Sequence, residues 1–146
     1  MEEGVRFPDS IRESFDCKEQ DIRNFSPLTL AYIGDCVYEL IIRTVVVEKG
    51  NKSPQKLHRE ASGFSKAGTQ SDIYKVLLEE VSEEEADVLK RGRNARFHTK
   101  AKNASLTEYK NATALEALFG YLYLTGRTKR VLELLKTGLE KCGLSI

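Results

Sequence analysis

The sequence predicts an all-α protein. Three observations carry that expectation. Apolar residues recur at helical spacing in several segments, each opened by a capping residue and most closed by glycine. The only run with strand character, Val45-Val46-Val47, sits at the end of a strong helical pattern. Only three prolines occur, and two of them follow a serine, where proline suits the first helical turn.

Residues 1–25 are polar and weakly patterned, which predicts an N-terminal arm with at most a short helix. Residues 26–146 form the domain. Ser26 is the N-cap of a helix that begins at Pro27 and runs to about Glu48, before Gly50. One stripe of this helix holds Leu30, Ile33, Val37, Leu40, Ile41 and Thr44. The other side carries Leu28, Ala31, Tyr38 and Ile42. A helix apolar on both sides is buried on both sides, so it is either central or shared with a second subunit. Ser53-Pro54 opens the next helix, through Leu57 and Phe64 to Leu78, with a break near Gly63 or Gly68. Ser82 and Glu85 form a capping box for a short helix ending near Arg91-Gly92. Arg93 to Ser105 reads as a basic loop. Thr107 is expected to cap a helix to about Thr125. Arg127 to Lys141 closes the chain, with Val131, Leu134, Leu135 and Gly138 on one face.

The 146 residues are enough for one domain with one core. The net charge of +1 is unevenly spread. An acidic block, Glu79, Glu80, Glu83, Glu84, Glu85 and Asp87, precedes a stretch from Val88 to Thr107 that contains Lys90, Arg91, Arg93, Arg96, Lys100 and Lys102 and no acid. Such a basic segment suits a polyanion. Within it Arg91, Arg93, Asn94, Arg96, His98, Lys100 and Lys102 offer cations for phosphates and amides or imidazole for sugars and base edges. Phe97 can stack on a base or anchor the loop. The competing reading is a solvated loop that balances the acidic block. Cys17, Cys36 and Cys142 lack metal-site or redox spacing and read as reduced thiols of a cytoplasmic protein. No apolar run is long enough to span a membrane, and the acidic start is unlike a signal peptide.

Asp35 is set into the apolar helix 27–48, where a carboxylate is costly without a partner. Glu116 stands in a second apolar stretch, Ala112 to Gly120. Gly120 permits close approach of another helix. If that helix is 27–48, Asp35 and Glu116 converge, and two adjacent carboxylates share a proton or bind a hard cation such as Mg²⁺. The competing reading pairs each acid with an arginine and leaves Glu39, one turn beyond Asp35, as a solvated helix acid.

Tyr32-Ile33-Gly34-Asp35 resembles the aromatic-aliphatic-Gly-Asp core of the ribonuclease III signature helix. Glu116-Ala117-Leu118-Phe119-Gly120 resembles that family's second acidic motif, in the same order and at fitting separation. With Pro27 to Glu39, Arg91 to Ala95 and Thr113 to Gly120, the likeness is greatest to the Mini-ribonuclease III branch, whose catalytic domain stands alone without a double-stranded-RNA-binding domain. The likeness covers roughly residues 26–141. It implies a dimeric, helical endonuclease fold and a homodimer, with Tyr32, and Leu28 beside it, at the interface. It implies metal-assisted hydrolysis of double-stranded RNA, with Asp35 and Glu116 as catalytic, Mg²⁺-binding residues, in maturation of the large-subunit (23S) ribosomal RNA precursor. Two departures stand out. Ala31 and Thr113 occupy positions where the wider family has two further acids, and the Mini-ribonuclease III branch is similar in this reduction. The alternative function is a non-catalytic RNA-binding or ribosome-associated module on the same fold.

Overall fold

The computed structural model describes residues 7–96 and 105–146. Among these residues the regular structure is helical and there is no strand. Seven α-helices follow in order: α1 (Phe7–Ser14), α2 (Pro27–Glu48), α3 (Pro54–Ser65), α4 (Ala67–Leu77), α5 (Glu83–Arg93), α6 (Leu106–Leu124) and α7 (Thr128–Lys141). A 3₁₀ turn, Ile22–Asn24, lies between α1 and α2.

Helix α6 is the centre of the molecule, and α2, α4, α5 and α7 pack around it. Ala114, Leu115, Ala117, Leu118, Phe119 and Leu122 are fully buried, which uses nearly the whole circumference of the helix. Each fully buried leucine among them contributes about 2 kcal/mol relative to an exposed one. Helix α2 is therefore not the central helix. It turns Leu30, Ala31, Gly34, Val37, Tyr38, Ile42 and Val46 inward. Leu40 and Thr44, expected on one stripe with Leu30 and Val37, are exposed. Both sides of α2 are apolar, but this chain covers only one of them.

The α2–α6 crossing is unusually close. A Cβ added to Gly34 would lie 1.7 Å from the Glu116 carbonyl oxygen, and one added to Gly120 would lie 2.0 Å from the Leu30 carbonyl oxygen. Only hydrogens at these two positions let the backbones touch. One turn along, Tyr38 stacks on Phe119 with ring centroids 5.8 Å apart. Its hydroxyl donates to the Phe64 carbonyl at 2.5 Å, which fastens α3 to the same pair.

Helix ends follow local chemistry, with one correction at α6. Ser26, Ser53 and Ser82 cap α2, α3 and α5 through side-chain oxygens that accept backbone N–H groups. Ser105, not Thr107, caps α6, in a reciprocal capping box with Glu108. Thr107 shares the hydroxyl chemistry but already lies inside the helix. The segment 54–78 breaks where expected, between Gly63 and Gly68, at Lys66, whose extended backbone divides α3 from α4.

Helix α7 is tied to α5 by Arg130, whose Nε and Nη2 each donate at 2.8 Å to the buried Glu85 carboxylate. This fork, with the Ser82 cap, holds the Glu85 carboxyl below its usual range. At the other end of the chain, Ile22 and Phe25 pack against the core, and Arg12 of α1 donates to the Leu124 carbonyl at 3.0 Å. The described helices include none long and apolar enough to cross a membrane.

Candidate functional site

The Gly34–Gly120 crossing decides where the acids fall. Asp35 follows Gly34 directly, and Glu116 supplies the carbonyl that Gly34 touches. The two side chains meet at the edge of this contact, with their carboxyl groups close enough to share a proton. The sequence places both acids in apolar helices, and the exposure of Asp35 departs from that expectation. Asp35 is exposed, and Glu116 is the more enclosed of the two. An apolar helix does not bury every residue on it, and Asp35 lies beside the side of α2 that the chain leaves open.

Burial, followed by the adjacent Asp35 charge, pushes the Glu116 carboxyl up to about 8. Desolvation disfavours the anion, and a like charge nearby does the same. Gln70 acts in the opposite direction. Its Nε2 donates to Glu116 Oε2 at 3.5 Å.

Among the described residues neither Asp35 nor Glu116 forms an ion pair, so the arginine-partner reading does not hold there. Glu39, read as a solvated helix acid, is instead half-buried and accepts from Arg43 Nε at 3.0 Å one turn along α2. No cluster of three His, Cys, Asp or Glu residues occurs among the described residues. Among the described residues the donor set is thus two carboxylates without a cation, one driven toward protonation by burial and by the other's charge. A hard divalent ion relieves that repulsion through oxygen ligands, and Mg²⁺ needs only one or two protein carboxylates when water and phosphate complete its shell. The pair fits such an ion. Ala31 and Thr113 are both buried beside it, so an acid at either position would itself be desolvated.

The basic segment begins on α5, which packs on the same helix that carries Glu116. Gly92 of α5 packs against Ala114 and Ala117, which flank Glu116. Helix α5 extends past the expected end at Arg91-Gly92 to Arg93, with Asn94 as its C-cap. Arg91, Asn94 and Arg96 are exposed. Arg93 is half-buried, and its Nε donates to Asn111 Oδ1 at 2.8 Å, so it also serves the packing of α5 on α6. Phe97, His98, Lys100 and Lys102 lie outside the described residues.

On the open side of α2, Leu28, Tyr32, Cys36 and Leu40 recur every fourth residue, all exposed. Tyr32 is 79% exposed. A four-residue period places them along one ridge, next to Asp35.

Sequence reasoning missed Gln70, Ser71 and Asn111, three almost fully buried polar residues where α4 packs on α6. A signal existed for the first. Gln70 falls one turn before Ile73 and Tyr74, on the core stripe of α4, where a polar side chain requires a partner.

Comparison with known proteins agrees with this helical fold. The family model for the ribonuclease III domain matches residues 28–127. A Mini-ribonuclease 3 from Clostridium tetani is 44% identical over 119 residues, covering 81% of this chain and 79% of that protein. One from Enterococcus faecalis is 42% identical over 126 residues, covering 85% and 96%. The crystal structure of a Fusobacterium nucleatum protein superposes with a TM-score of 0.75 at 33% identity, covering 83% of this chain and 98% of that one.

Proposed function

Because this chain belongs to the ribonuclease III family, we propose that it is an endoribonuclease that cuts double-stranded RNA with Mg²⁺ held by Asp35 and Glu116. The observation that carries the site assignment is the carboxylate pair at the Gly34–Gly120 crossing, which has no cation partner among the described residues. A protein that only binds RNA has no use for two acids forced together, and their repulsion would weaken its hold on phosphate.

Bound Mg²⁺ supplies a Lewis acid that activates a water and offsets charge on the scissile phosphate. The chain's own residues do the rest. Glu116 and Asp35 keep two oxygens converged from two helices, at a position set by backbone contact rather than by flexible side chains. Gln70 favours the ionised form of Glu116, the form that a metal needs. Arg91, Arg93, Asn94 and Arg96 approach along α5 and hold the RNA backbone, with His98, Lys100 and Lys102 continuing the segment. A-form RNA is read mainly by shape and backbone, which suits a basic surface without a base-reading cleft.

We extend the proposal to residues 26–146 as the catalytic unit, a cytoplasmic enzyme, and the large-subunit (23S) ribosomal RNA precursor as natural substrate, a reading supported by family likeness. The test is cleavage of a long RNA duplex and of a duplex stem from that precursor in Mg²⁺. The same sequence as a single strand is the comparison. Wild-type protein that cuts neither duplex faster than the single strand removes the enzyme and leaves the RNA-binding module.

The basic segment has its own signature. The double substitution Arg91→Ala and Arg96→Ala should flatten the plot of log binding constant against log salt by about 1 to 2 units, since each phosphate contact releases about one counterion. Binding measured by fluorescence anisotropy across a salt series checks this. An unchanged slope takes those two side chains off the RNA.

The exposed ridge of α2 supports a homodimer through Leu28 and Tyr32. Two copies packed on this ridge would cover its apolar side and set two sites about one axis. Light scattering should find wild type at twice the chain mass and Tyr32→Asp at the chain mass. A wild-type monomer at micromolar concentration contradicts the interface.

A further inference from the structure

We propose that Gln70 is a positioning residue, holding the Glu116 carboxylate in one orientation toward Asp35. The inference rests on the Asp35–Glu116 metal site proposed above and concerns how so small a ligand set keeps its shape.

Gln70 is 3% exposed and projects from α4 against α6, with its Nε2 donating to Glu116 Oε2. The next residue grips the same helix. Ser71 Oγ, in a residue 1% exposed, accepts from Asn111 Nδ2 at 2.9 Å, and Asn111 Oδ1 accepts from Arg93 Nε. Two successive residues of α4 therefore fasten α6 at Asn111 and at Glu116, a little over one turn apart. Ser71 and Asn111 set the register of the two helices, and Gln70 uses that register to reach the acid.

A glutamate has three rotatable bonds, and a free one spreads its oxygens over several orientations. With one oxygen held by a buried amide, the carboxylate is preorganised before an ion arrives. Ala31 and Thr113, at the positions next to the pair, carry no carboxylate to compensate for a ligand that swings away. An apolar side chain at position 70 would fill the same space and leave Glu116 unrestrained.

The experiment measures Mn²⁺ binding by electron paramagnetic resonance without RNA, together with melting temperature and the kcat and KM of duplex cleavage. Gln70→Met should retain its helical circular dichroism, bind Mn²⁺ about 10-fold to 100-fold more weakly, and keep the wild-type KM for RNA. A folded Gln70→Met with wild-type Mn²⁺ affinity overturns the inference. Gln70→Asn keeps a buried amide one methylene too short to reach Glu116. It should weaken Mn²⁺ in the same direction, and wild-type affinity in it counts equally against the proposal. Ser71→Ala should lower the melting temperature while keeping Mn²⁺ affinity. If it weakens Mn²⁺ as much as the Gln70 variants, loosening of α4 explains both and the positioning role is lost. Asp35→Asn separates the two layers. If it binds Mn²⁺ like wild type, the metal site falls and the inference with it. If it loses Mn²⁺ while the Gln70 variants do not, only the role of Gln70 fails.

Discussion

Asp35→Asn and Glu116→Gln should each reduce duplex cleavage at least about 1000-fold at saturating Mg²⁺ while leaving the protein folded. Removing one of two charged ligands forfeits several kcal/mol of transition-state stabilisation, and about 4 kcal/mol corresponds to three decades in rate. Both substitutions keep side-chain shape, so the Gly34–Gly120 contact beneath them is undisturbed. Retention of more than a tenth of the wild-type rate by either variant would remove that residue from the catalytic centre.

The same pair makes metal-free stability depend on pH in a defined direction. The Glu116 carboxyl is raised from its ordinary 4.5 to about 8, by burial first and by Asp35 second. The folded protein therefore holds this proton more tightly than the unfolded chain does. Its stabilising contribution is complete below about 4.5, declines as pH rises, and is gone above about 8. In differential scanning calorimetry with chelator present, wild type should lose at least about 4 °C between these limits relative to Glu116→Gln, which has no such proton to lose. Mg²⁺ added above pH 8 should restore wild type and not Glu116→Gln. Parallel pH profiles for the two proteins would contradict the buried-acid description.

The largest structural effect belongs to Gly34→Ala. Its methyl carbon would sit 1.7 Å from the Glu116 carbonyl oxygen and 2.8 Å from the Gly120 nitrogen, both backbone atoms of a helix packed on all sides. Neither can rotate away as a side-chain end can, so α2 and α6 must separate. Overpacking a core commonly costs about 1 to 3 kcal/mol when side chains can adjust, and a backbone clash exceeds that range. We expect a loss of more than about 4 kcal/mol, read by urea denaturation, and loss of cleavage in whatever protein still folds. Wild-type stability in Gly34→Ala would mean that the helices do not cross in contact there. Gly63→Ala is the control, because nothing lies within 4 Å of its added carbon.

Much of the fold was legible because its signals are local. Serine caps, prolines in first turns and a 3.6-residue apolar period each act within a turn or two, and they placed α2, α3, α5 and α7 closely. Ser105 was missed in favour of Thr107 because the two residues have the same capping chemistry and stand two apart. The break expected near Gly63 or Gly68 falls between them, at the extended Lys66.

The candidate site divides along the same line. Asp35 and Glu116 stood out by themselves, as acids inside apolar stretches, and Gly120 beside Glu116 marked a place of close helix approach. The sequence by itself determined the helical class, the two acids, the basic segment after α5 and the likeness that joins them. Only the tertiary structure decided that α6 rather than α2 is central, that Glu116 rather than Asp35 is the enclosed acid, and that Gln70 stands behind it. Helical periodicity states which residues share a face, but not which face a neighbour will cover. Covering is settled by the crossing at Gly34 and Gly120, a contact between residues 86 positions apart that no local pattern encodes.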